Sequence, residues 1–467
     1  MQKNNTALKK NKYIGNKQFY KLTLGIAVPI MIQNGISNFV GLLDNLMIGR
    51  VGTNALSGVA ISNQLMFVYY LLVFGASAGI GIFTAQYHGI HNNDGIRYTF
   101  RAKLWVNMII TVLATLTLFF AGNQLISQFL KGEGSASDAA NTLVIARSYL
   151  NIMLIGLYPV AVTQAYAGTL RETGETRVPM YASFAAVFIN LIGNYILIYG
   201  HLGLPAMGAQ GAAIATIISR FVEVFILILY THTHSSAHPW IISAYSSLKV
   251  PRDHMKKYLY KSIPLMMNEG LWSLGTTILN QCYSYRSLDA VAAVNIEGTL
   301  WNLLGVAFLA MGDAVGILVG QVLGSGDMDK AKDYASKLTA FTVFCGTIFA
   351  IVMAIVSPFF PMLYNTSDEI RSMASDLILL SAIFMPACSY LHATYFIIRS
   401  GGRTGITMIF DSCFMLGITV PVAFILSRFT NISVVGLMGV VLSLDVLKCI
   451  VGGIMVHKGI WARNIVN

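Results

Sequence analysis

Charged side chains are scarce in this chain. They make up 11% of its 467 residues, whereas hydrophobic side chains make up 55% and the mean hydropathy is +0.64. A soluble domain carries about 25% charged residues. Most of the apolar runs also reach the length of about 20 residues that crosses the hydrocarbon core of a bilayer. The composition therefore excludes a soluble enzyme or binding domain and predicts an all-α integral membrane protein.

Cysteines and catalytic motifs are also few. The sequence has five cysteines without a CxxC spacing, and it contains no Walker loop, HExxH or GxSxG motif. We interpret the cysteines as packing residues and predict no disulfide, no resident metal or cofactor, and no catalytic site. His232, His234 and His238 are spaced too loosely for a zinc site, so we interpret their segment as a solvated loop. We therefore do not expect an enzyme.

Twelve apolar stretches are predicted to be transmembrane helices. They lie near residues 22–48, 57–86, 103–122, 143–168, 178–199, 207–230, 259–282, 293–323, 336–361, 376–398, 404–427 and 434–457. Alternate loops hold most of the 31 Lys and Arg residues, which places those loops and both termini in the cytoplasm of a cell whose inner membrane the chain spans. Because these basic residues are scattered over short loops, they do not predict nucleic-acid binding.

An internal repeat relates the two halves of the chain. A shift of 235 residues places Pro29 on Pro264 and Gln86 on Gln321, and a shift of 228 places residues 171–211 on residues 399–439. The first half has a longer outward loop at residues 131–141. Since each copy holds six spans, both copies enter the membrane from the same side and form two pseudo-symmetric six-helix bundles. We divide the chain into an N-lobe (1–231), a cytoplasmic linker (232–258) and a C-lobe (259–467).

Several ionisable residues fall inside the predicted spans. Each costs about 3 kcal/mol near the bilayer centre, so it should face a partner, a cavity or a functional path. These residues are Asp44, Arg220, Glu223, Glu269, Glu297, Asp313, Asp411, Asp445 and Lys448. Arg220 with Glu223, and Asp445 with Lys448, are three residues apart on one helix face, so we predict that each pair is neutralised internally.

Asp44 has no basic residue one helical turn away, and its counterpart in the second repeat is Leu279. Asn190 and Asn194 share one face of the fifth span, and their counterparts are aliphatic. A carboxylate with amide oxygens suits a small cation or a proton, since hard cations take oxygen ligands. The alternative is a hydrogen-bonded cluster that only fixes helix packing.

Glu269 lies near the middle of the seventh span and aligns with Asn34 of the first, and Glu297 lies nearer the outer end of the eighth. Glu269 and Glu297 are candidates for binding substrate, because carboxylates attract lipophilic organic cations. Asn34 is a candidate as the repeat counterpart of Glu269. Asp313 and Asp411 lie about two turns from cytoplasmic helix ends, where Arg399 and Arg403 could pair with them. For both aspartates a role in gating and a role in packing stay open.

Three segments carry a resemblance to a known family. The first is Asp44-Asn45-Leu46-Met47-Ile48-Gly49-Arg50, the second is Leu170-Arg171-Glu172-Thr173-Gly174-Glu175-Thr176-Arg177, and the third is Arg399-Ser400-Gly401-Gly402-Arg403-Thr404. With the six-plus-six repeat, they resemble the multidrug and toxic compound extrusion (MATE) family of the MOP flippase superfamily over nearly the whole chain. The resemblance implies two lobes around a central cleft, alternating access, and export of mostly cationic organic compounds in exchange for Na+ or H+.

The resemblance also implies site residues. The N-lobe cation site of the archaeal and DinF-like branches carries over onto Asp44, Asn190 and Asn194, with Gln164 as a further candidate. Members of that branch often have a second carboxylate where this chain has Asn194, and an asparagine where it has Gln164. Glu269 resembles the acidic C-lobe residue of the NorM-like branch in helix and depth. We expect a monomer that handles small organic cations among membrane lipids.

Two other readings remain. A flippase or exporter of a lipid-linked or natural-product precursor would share the repeat, but such proteins more often have extra spans and a strongly basic cavity. A membrane enzyme would need catalytic groups clustered near one interface, and the sequence shows no such cluster. The acidic residues of the spans favour a cation exporter over both.

Overall fold

Twelve long helices make up most of the chain. The computed structural model describes residues 12–130 and 136–466, and these residues contain no β-strand. The helices are α1 (Lys17–Gly49), α2 (Thr53–Gly89), α3 (Asn93–Phe129), α4 (Ala136–Glu172), α5 (Arg177–Tyr199), α6 (Gly208–Thr233), α7 (Arg252–Ser284), α8 (Leu288–Gly324), α9 (Met328–Val356), α10 (Asp368–Ser400), α11 (Thr404–Phe429) and α12 (Val434–His457). The predicted all-α architecture of twelve spans is confirmed.

Eleven of the twelve helices in the described part are long and apolar enough to cross a membrane by length and composition. The twelfth is α7, whose first turns carry Arg252, Lys256 and Lys257 and whose middle carries Glu269. These charges lower its mean hydropathy. Its length of 33 residues exceeds what a bilayer requires, so it is long enough to span the membrane. The chain is therefore a multi-pass membrane protein.

The third helix begins ten residues earlier than the predicted span. Asn92 caps its first turn, since its side-chain oxygen accepts a hydrogen bond of 2.9 Å from the backbone N–H of Gly95. Lys103, the first residue of the predicted span, is fully buried and forms an ion pair with Glu172 of α4. The sequence analysis did not predict this pair, because Glu172 lies 69 residues away along the chain.

The helices form two compact units that divide the chain inside α1 and α7. The middle unit runs from Pro29 to Leu274, and the terminal unit comprises the described residues up to Val28 and from Gly275 onward. Helix α1 changes unit at Pro29, where the ring removes a backbone donor. These units follow packing, whereas the N-lobe and C-lobe of the sequence analysis follow the repeat.

Each unit repeats the same set of helix contacts. In the middle unit α2 packs on α3 and α4, and α6 packs on α4 and α5. In the terminal unit α8 packs on α9 and α10, and α12 packs on α10 and α11. Helices α8, α10 and α12 therefore occupy in their unit the places that α2, α4 and α6 occupy in theirs.

Small residues allow close helix contacts in the middle unit. A Cβ atom at Gly79 of α2 would lie 2.4 Å from the Cα of Ser262 in α7, and the Ser262 hydroxyl donates to the Ala76 carbonyl at 3.1 Å. The Ser62 hydroxyl likewise donates to the Ala146 carbonyl of α4. Without water in the bilayer, such contacts and interhelical hydrogen bonds hold helices together.

The connection between α6 and α7 is packed against α3 and is not a free loop. Arg101 of α3 donates to the carbonyl groups of Ala244 (2.8 Å), Ser243 (2.7 Å) and Lys249 (3.2 Å). Trp240 is only 2% exposed. The interpretation of this segment as a solvated loop holds only in part: His232 and His234 are exposed, whereas His238 and Trp240 are buried and α3 supplies donors to the carbonyl groups that follow.

Helix α11 contains two π-helical segments, Ile409–Cys413 and Met415–Thr419, before it returns to α-helix at Val420. In a π-helix the backbone bonds run from i to i+5, and the form is rare outside short stretches. Helix α5, which corresponds to α11 in the repeat, is α-helical throughout. The two repeats therefore differ in backbone geometry at this helix.

The charge asymmetry of the loops predicts the orientation of the chain. In a variant without native cysteines, a single cysteine at Pro251 or Arg463 should resist a membrane-impermeant thiol reagent applied to intact cells. A cysteine at Leu288, which is 87% exposed and lies on the predicted outer side, is the matched positive control. Lys9, the third predicted cytoplasmic position, lies outside the described residues. Labelling at Pro251 in intact cells would contradict the orientation.

Candidate functional site

A carboxylate and two amides meet inside the middle unit. Asp44 lies five residues before the end of α1, and its Oδ1 accepts a hydrogen bond of 2.5 Å from the Nδ2 of Asn194 in α5. The same Nδ2 also donates to Asn190 Oδ1 at 3.2 Å. The structure thus brings together three of the four predicted cation-site residues. We call Asp44, Asn190, Asn194 and the adjoining Thr216 the Asp44 cluster.

Thr216 of α6 completes the cluster, and the sequence analysis missed it. Asn190 Nδ2 donates to Thr216 Oγ1 at 3.1 Å, and this hydroxyl in turn donates to the Ala212 carbonyl one turn earlier. Threonine is common in apolar helices, so its type and spacing gave no signal. A helical-wheel comparison of α5 with α6 would have needed the packing of the two helices in advance.

The oxygen atoms of the Asp44 cluster fit a small cation. Asn194 is 1% exposed, and its Oδ1 is buried without a hydrogen-bond partner among the described residues. A buried acceptor without a donor costs about 1–3 kcal/mol unless something else satisfies it. Asp44 makes no ion pair with the Lys and Arg side chains of the described ranges, although Arg220 attracts it at longer range. A cation among these oxygens would satisfy both groups.

A second polar chain runs beside the cluster across α1, α5 and α6. The Gln33 amide donates to Ser183 Oγ at 2.6 Å, and this hydroxyl donates to Glu223 Oε1, also at 2.6 Å. Glu223 Oε2 forms an ion pair with Arg220 Nη1 at 3.0 Å. The predicted neutralisation of Arg220 by Glu223 is confirmed. Each of these four side chains, from Gln33 to Arg220, has a hydrogen-bond or ion-pair partner, which is the arrangement expected where polar groups serve helix packing.

Gln164 is the fourth predicted cation-site residue, and no hydrogen bond of the described residues joins it to the cluster. It is half-buried on α4. Its carry-over rested on family resemblance alone, and helix register decides which way a side chain points. Gln164 therefore stays a prediction that the geometry leaves without support.

The three predicted substrate residues lie in different surroundings. Asn34 and Glu269 are half-buried in the middle unit, and no hydrogen bond joins them among the described residues. Glu297 belongs to the terminal unit, where it is 4% exposed and accepts a hydrogen bond of 2.6 Å from the Ser381 hydroxyl of α10. Glu297 therefore already has one fixed partner.

Lys448 of α12 bridges two aspartates in the terminal unit. Its Nζ lies 3.3 Å from an oxygen of Asp445, which confirms the predicted pair. It lies at the same distance from Asp411 in the first π-helical segment of α11. We had expected Arg399 or Arg403 as the cation for Asp411; the ion pair seen is with Lys448 because α12 packs on this part of α11. Asp313 is half-buried in α8.

The three histidines of the linker have individual partners. His232 Nε2 lies 3.2 Å from the Tyr166 hydroxyl, and the His234 ring stacks on Tyr230 with centroids 4.3 Å apart. Burial lowers the pKa of His238, and Glu175 only partly opposes this shift. Among residues 12–130 and 136–466, no group of three or more His, Cys, Asp or Glu side chains could hold a metal ion.

The fold and the intramembrane polar clusters define a multi-pass helical membrane protein built from two copies of one six-helix unit. The family model called MatE matches the chain twice, at residues 29–196 and at residues 264–425. The chain therefore belongs to the MatE family, that of the MATE multidrug efflux transporters. The double match begins 235 residues apart, as the predicted repeat does.

Curated relatives and solved structures agree with this assignment. The chain is 24% identical to the "Probable multidrug resistance protein NorM" of Thermotoga maritima, over 89% of this chain and 87% of that one. It is 22% identical to the "Probable multidrug resistance protein YoeA" of Bacillus subtilis, over 88% and 87% of the two chains.

Among solved structures, a point mutant of the Vibrio cholerae MATE transporter VcmN has a TM-score of 0.84 at 17% identity. That match covers 96% of this chain and 98% of that one. A MATE structure described as being in the bent conformation has a TM-score of 0.83 at 19% identity, and it covers 94% and 95% of the two chains. At these identities the likeness shows the fold alone.

The Asp44 cluster predicts binding of Na+ that protons oppose. In purified protein, Na+ should raise the thermal midpoint, because it binds the folded state, and the increase should shrink as pH falls and protons compete for Asp44. The Asp44→Asn variant should lose both the increase and its pH dependence. Asp445→Asn removes a carboxylate of the terminal unit and should keep them. An equal Na+ response in Asp44→Asn and wild type would contradict the site.

Proposed function

We propose that this chain is a secondary antiporter that exports organic cations in exchange for Na+ or H+ by alternating access. The observation that carries the proposal is the Asp44 cluster, in which a carboxylate without an ion-pair partner among the described residues lies beside the unpartnered Asn194 Oδ1. The second repeat has Leu279 at the position of Asp44, so only one half of the chain would hold this coupling site.

One carboxylate can serve both ions. In an apolar bundle, desolvation favours protonated Asp44, whereas a bound Na+ favours the ionised form. Ionised Asp44 is matched by the present orientation of Asn194, whose N–H group donates to it. Rotation of this amide by half a turn would present Oδ1 in place of Nδ2, which suits a protonated carboxyl or a cation. The orientation of the Asn194 amide on α5 would then depend on whether Asp44 is ionised, protonated or bound to a cation.

The membrane potential can supply the energy. A unit charge that crosses the full field gains about 2.3 kcal/mol per 100 mV. If cation loading at Asp44 and substrate occupancy disfavour each other, this gain drives efflux against a gradient. The mutual exclusion is a coupling free energy, and it acts equally in both directions.

We propose that Asn34, Glu269 and Glu297 contact the substrate during the cycle. Relatives named as multidrug resistance proteins suggest small organic substrates. Carboxylates in apolar surroundings favour lipophilic cations among these, since their attraction is strong where water is scarce. We further propose transport without enzymatic activity, a monomeric protein, and an inner-membrane location with both termini in the cytoplasm.

Loss of the charge at Asp44 should uncouple transport. In vesicles with an imposed Na+ or H+ gradient, Asp44→Asn should no longer accumulate a cationic dye against its gradient, while it still folds and binds the dye. The change keeps the size of the side chain and removes the proton and cation switch. Asp445→Asn, which disturbs a structural ion pair in the other unit, is the matched control and should retain accumulation. Near wild-type accumulation by Asp44→Asn would place the coupling site elsewhere.

Loss of the charge at Glu269 should weaken cation binding selectively. We expect Glu269→Gln to lower the affinity for a cationic compound about tenfold, because a charge-assisted contact contributes about 1.5 kcal/mol or more. The affinity for a neutral compound of the same shape should change little. Equilibrium binding to purified protein measures both. An equal loss for the two compounds would assign Glu269 to packing or to ion coupling.

A further inference from the structure

A groove of about 1050 Å³ lies in the middle unit between α3, the end of the linker and the first half of α7. Trp105 and Ile109 of α3 line one wall, and Leu259 and Ile263 of α7 line the other. Three of these four side chains are large and exposed: Trp105 at 45%, Ile109 at 53% and Ile263 at 51%. The groove therefore opens outward from the helices.

Polar and apolar lining residues are segregated along the groove. Every lining residue that α3 and α7 contribute is apolar. The polar lining residues are Ser246, Ser247 and Lys249, and all three belong to the linker. The groove thus has one polar end and an apolar body. A ligand with a polar head and long apolar chains matches this division.

Lys249 lines the polar end, and two further cations, Arg252 and Lys256, follow it in the first turns of α7. Lys249, Arg252 and Lys256 are exposed, and their side chains make no ion pair or hydrogen bond within the described ranges. Arg252 lies three residues before Met255 and Lys256 lies three before Leu259, so both share the helix face that lines the groove.

Two neighbouring charges fall on another side of α7. Lys257 is not three or four residues from any lining position, and Asp253 lies four residues before Lys257. Asp253 also lies three residues before Lys256, so one carboxylate adjoins the three cations, and this end of the groove keeps a net positive charge.

The polar end is held in place by α3. Trp105 Nε1 donates to the Leu248 carbonyl at 2.9 Å, and Arg101 donates to the Lys249 carbonyl at 3.2 Å. These bonds fix the backbone that carries Lys249. The end of the groove is thus a built feature of the fold, and its geometry does not depend on a free loop.

We propose that this groove binds one anionic phospholipid, with the phosphate beside Lys249, Arg252 and Lys256 and the acyl chains between α3 and α7. Juxtamembrane Lys and Arg residues attract anionic lipids of the cytoplasmic leaflet, which is the side predicted for the linker. The volume is at the upper end of the range of about 300–1,000 Å³ for small-molecule pockets, as two acyl chains require. A cationic transport substrate would be repelled by these charges. The proposal is independent of the transport cycle.

Lipid-dependent stability of the full-length, delipidated protein in detergent tests the proposal. Phosphatidylglycerol should raise the thermal midpoint in a saturable manner, because it binds the folded state, and phosphatidylcholine should have little effect. In the double variant Lys249→Gln/Arg252→Gln the apparent affinity for phosphatidylglycerol should fall about 25-fold, at about fivefold for each cation. Lys257→Gln is the matched control and should bind as wild type does.

A variant whose groove is filled by a larger side chain distinguishes binding of a lipid from binding of a free anion. Ile263→Trp adds bulk at an exposed lining position, so it should weaken phosphatidylglycerol binding in native mass spectra without loss of the fold. Inorganic phosphate at the same concentration should not reproduce the lipid effect. Equal binding of both lipids, an equal loss in Lys257→Gln, or full substitution by inorganic phosphate would each overturn the proposal.

Discussion

The bilayer core offers no water to polar groups, and this constraint governs where charges lie in the protein. Each buried ion must find its partner within the protein, since an unpaired one is expelled or neutralised. Lys103 meets Glu172, and Lys448 meets two aspartates. These pairs join α3 to α4 and α12 to α11. The same contacts that satisfy the charges therefore also fix which helices are neighbours.

The Asp44 cluster meets this constraint only in part. Its carboxylate has one amide donor, and Asn194 Oδ1 has no donor among the described residues. The neighbouring chain from Gln33 to Arg220 is satisfied at each step. The two polar clusters on these helices thus differ in how fully their atoms are hydrogen-bonded. That difference, more than the presence of a carboxylate, is the reason for proposing the Asp44 cluster, and not the Gln33–Arg220 series, as the cation site.

Sequence reasoning succeeded where the physics is local or periodic. Span length, the repeat, and the pairs Arg220–Glu223 and Asp445–Lys448 all depend on composition or on spacing along one helix. It failed for Lys103, Thr216 and the docked linker, whose partners are distant in sequence. Asn190 and Asn194 were found because the two repeats could be compared, and the contrast with aliphatic counterparts singled them out. Register between helices, which decides whether a side chain such as that of Gln164 faces the cluster, is set by packing and cannot be read from any single segment.

The π-helical segments of α11 carry a consequence for the history of the chain. Helix α11 has 26 residues, whereas its counterpart α5 has 23 and no π turn. The shift of 228 residues is the same before and after this helix, so the π turns arose without inserted residues, through a change in the backbone bonding of the second copy. Duplicated genes usually diverge through substitutions and loop changes; here the divergence entered a membrane helix itself. Asp411 lies in the first of these widened segments and forms an ion pair with Lys448 of α12, so the altered helix is tied to its neighbour by charge.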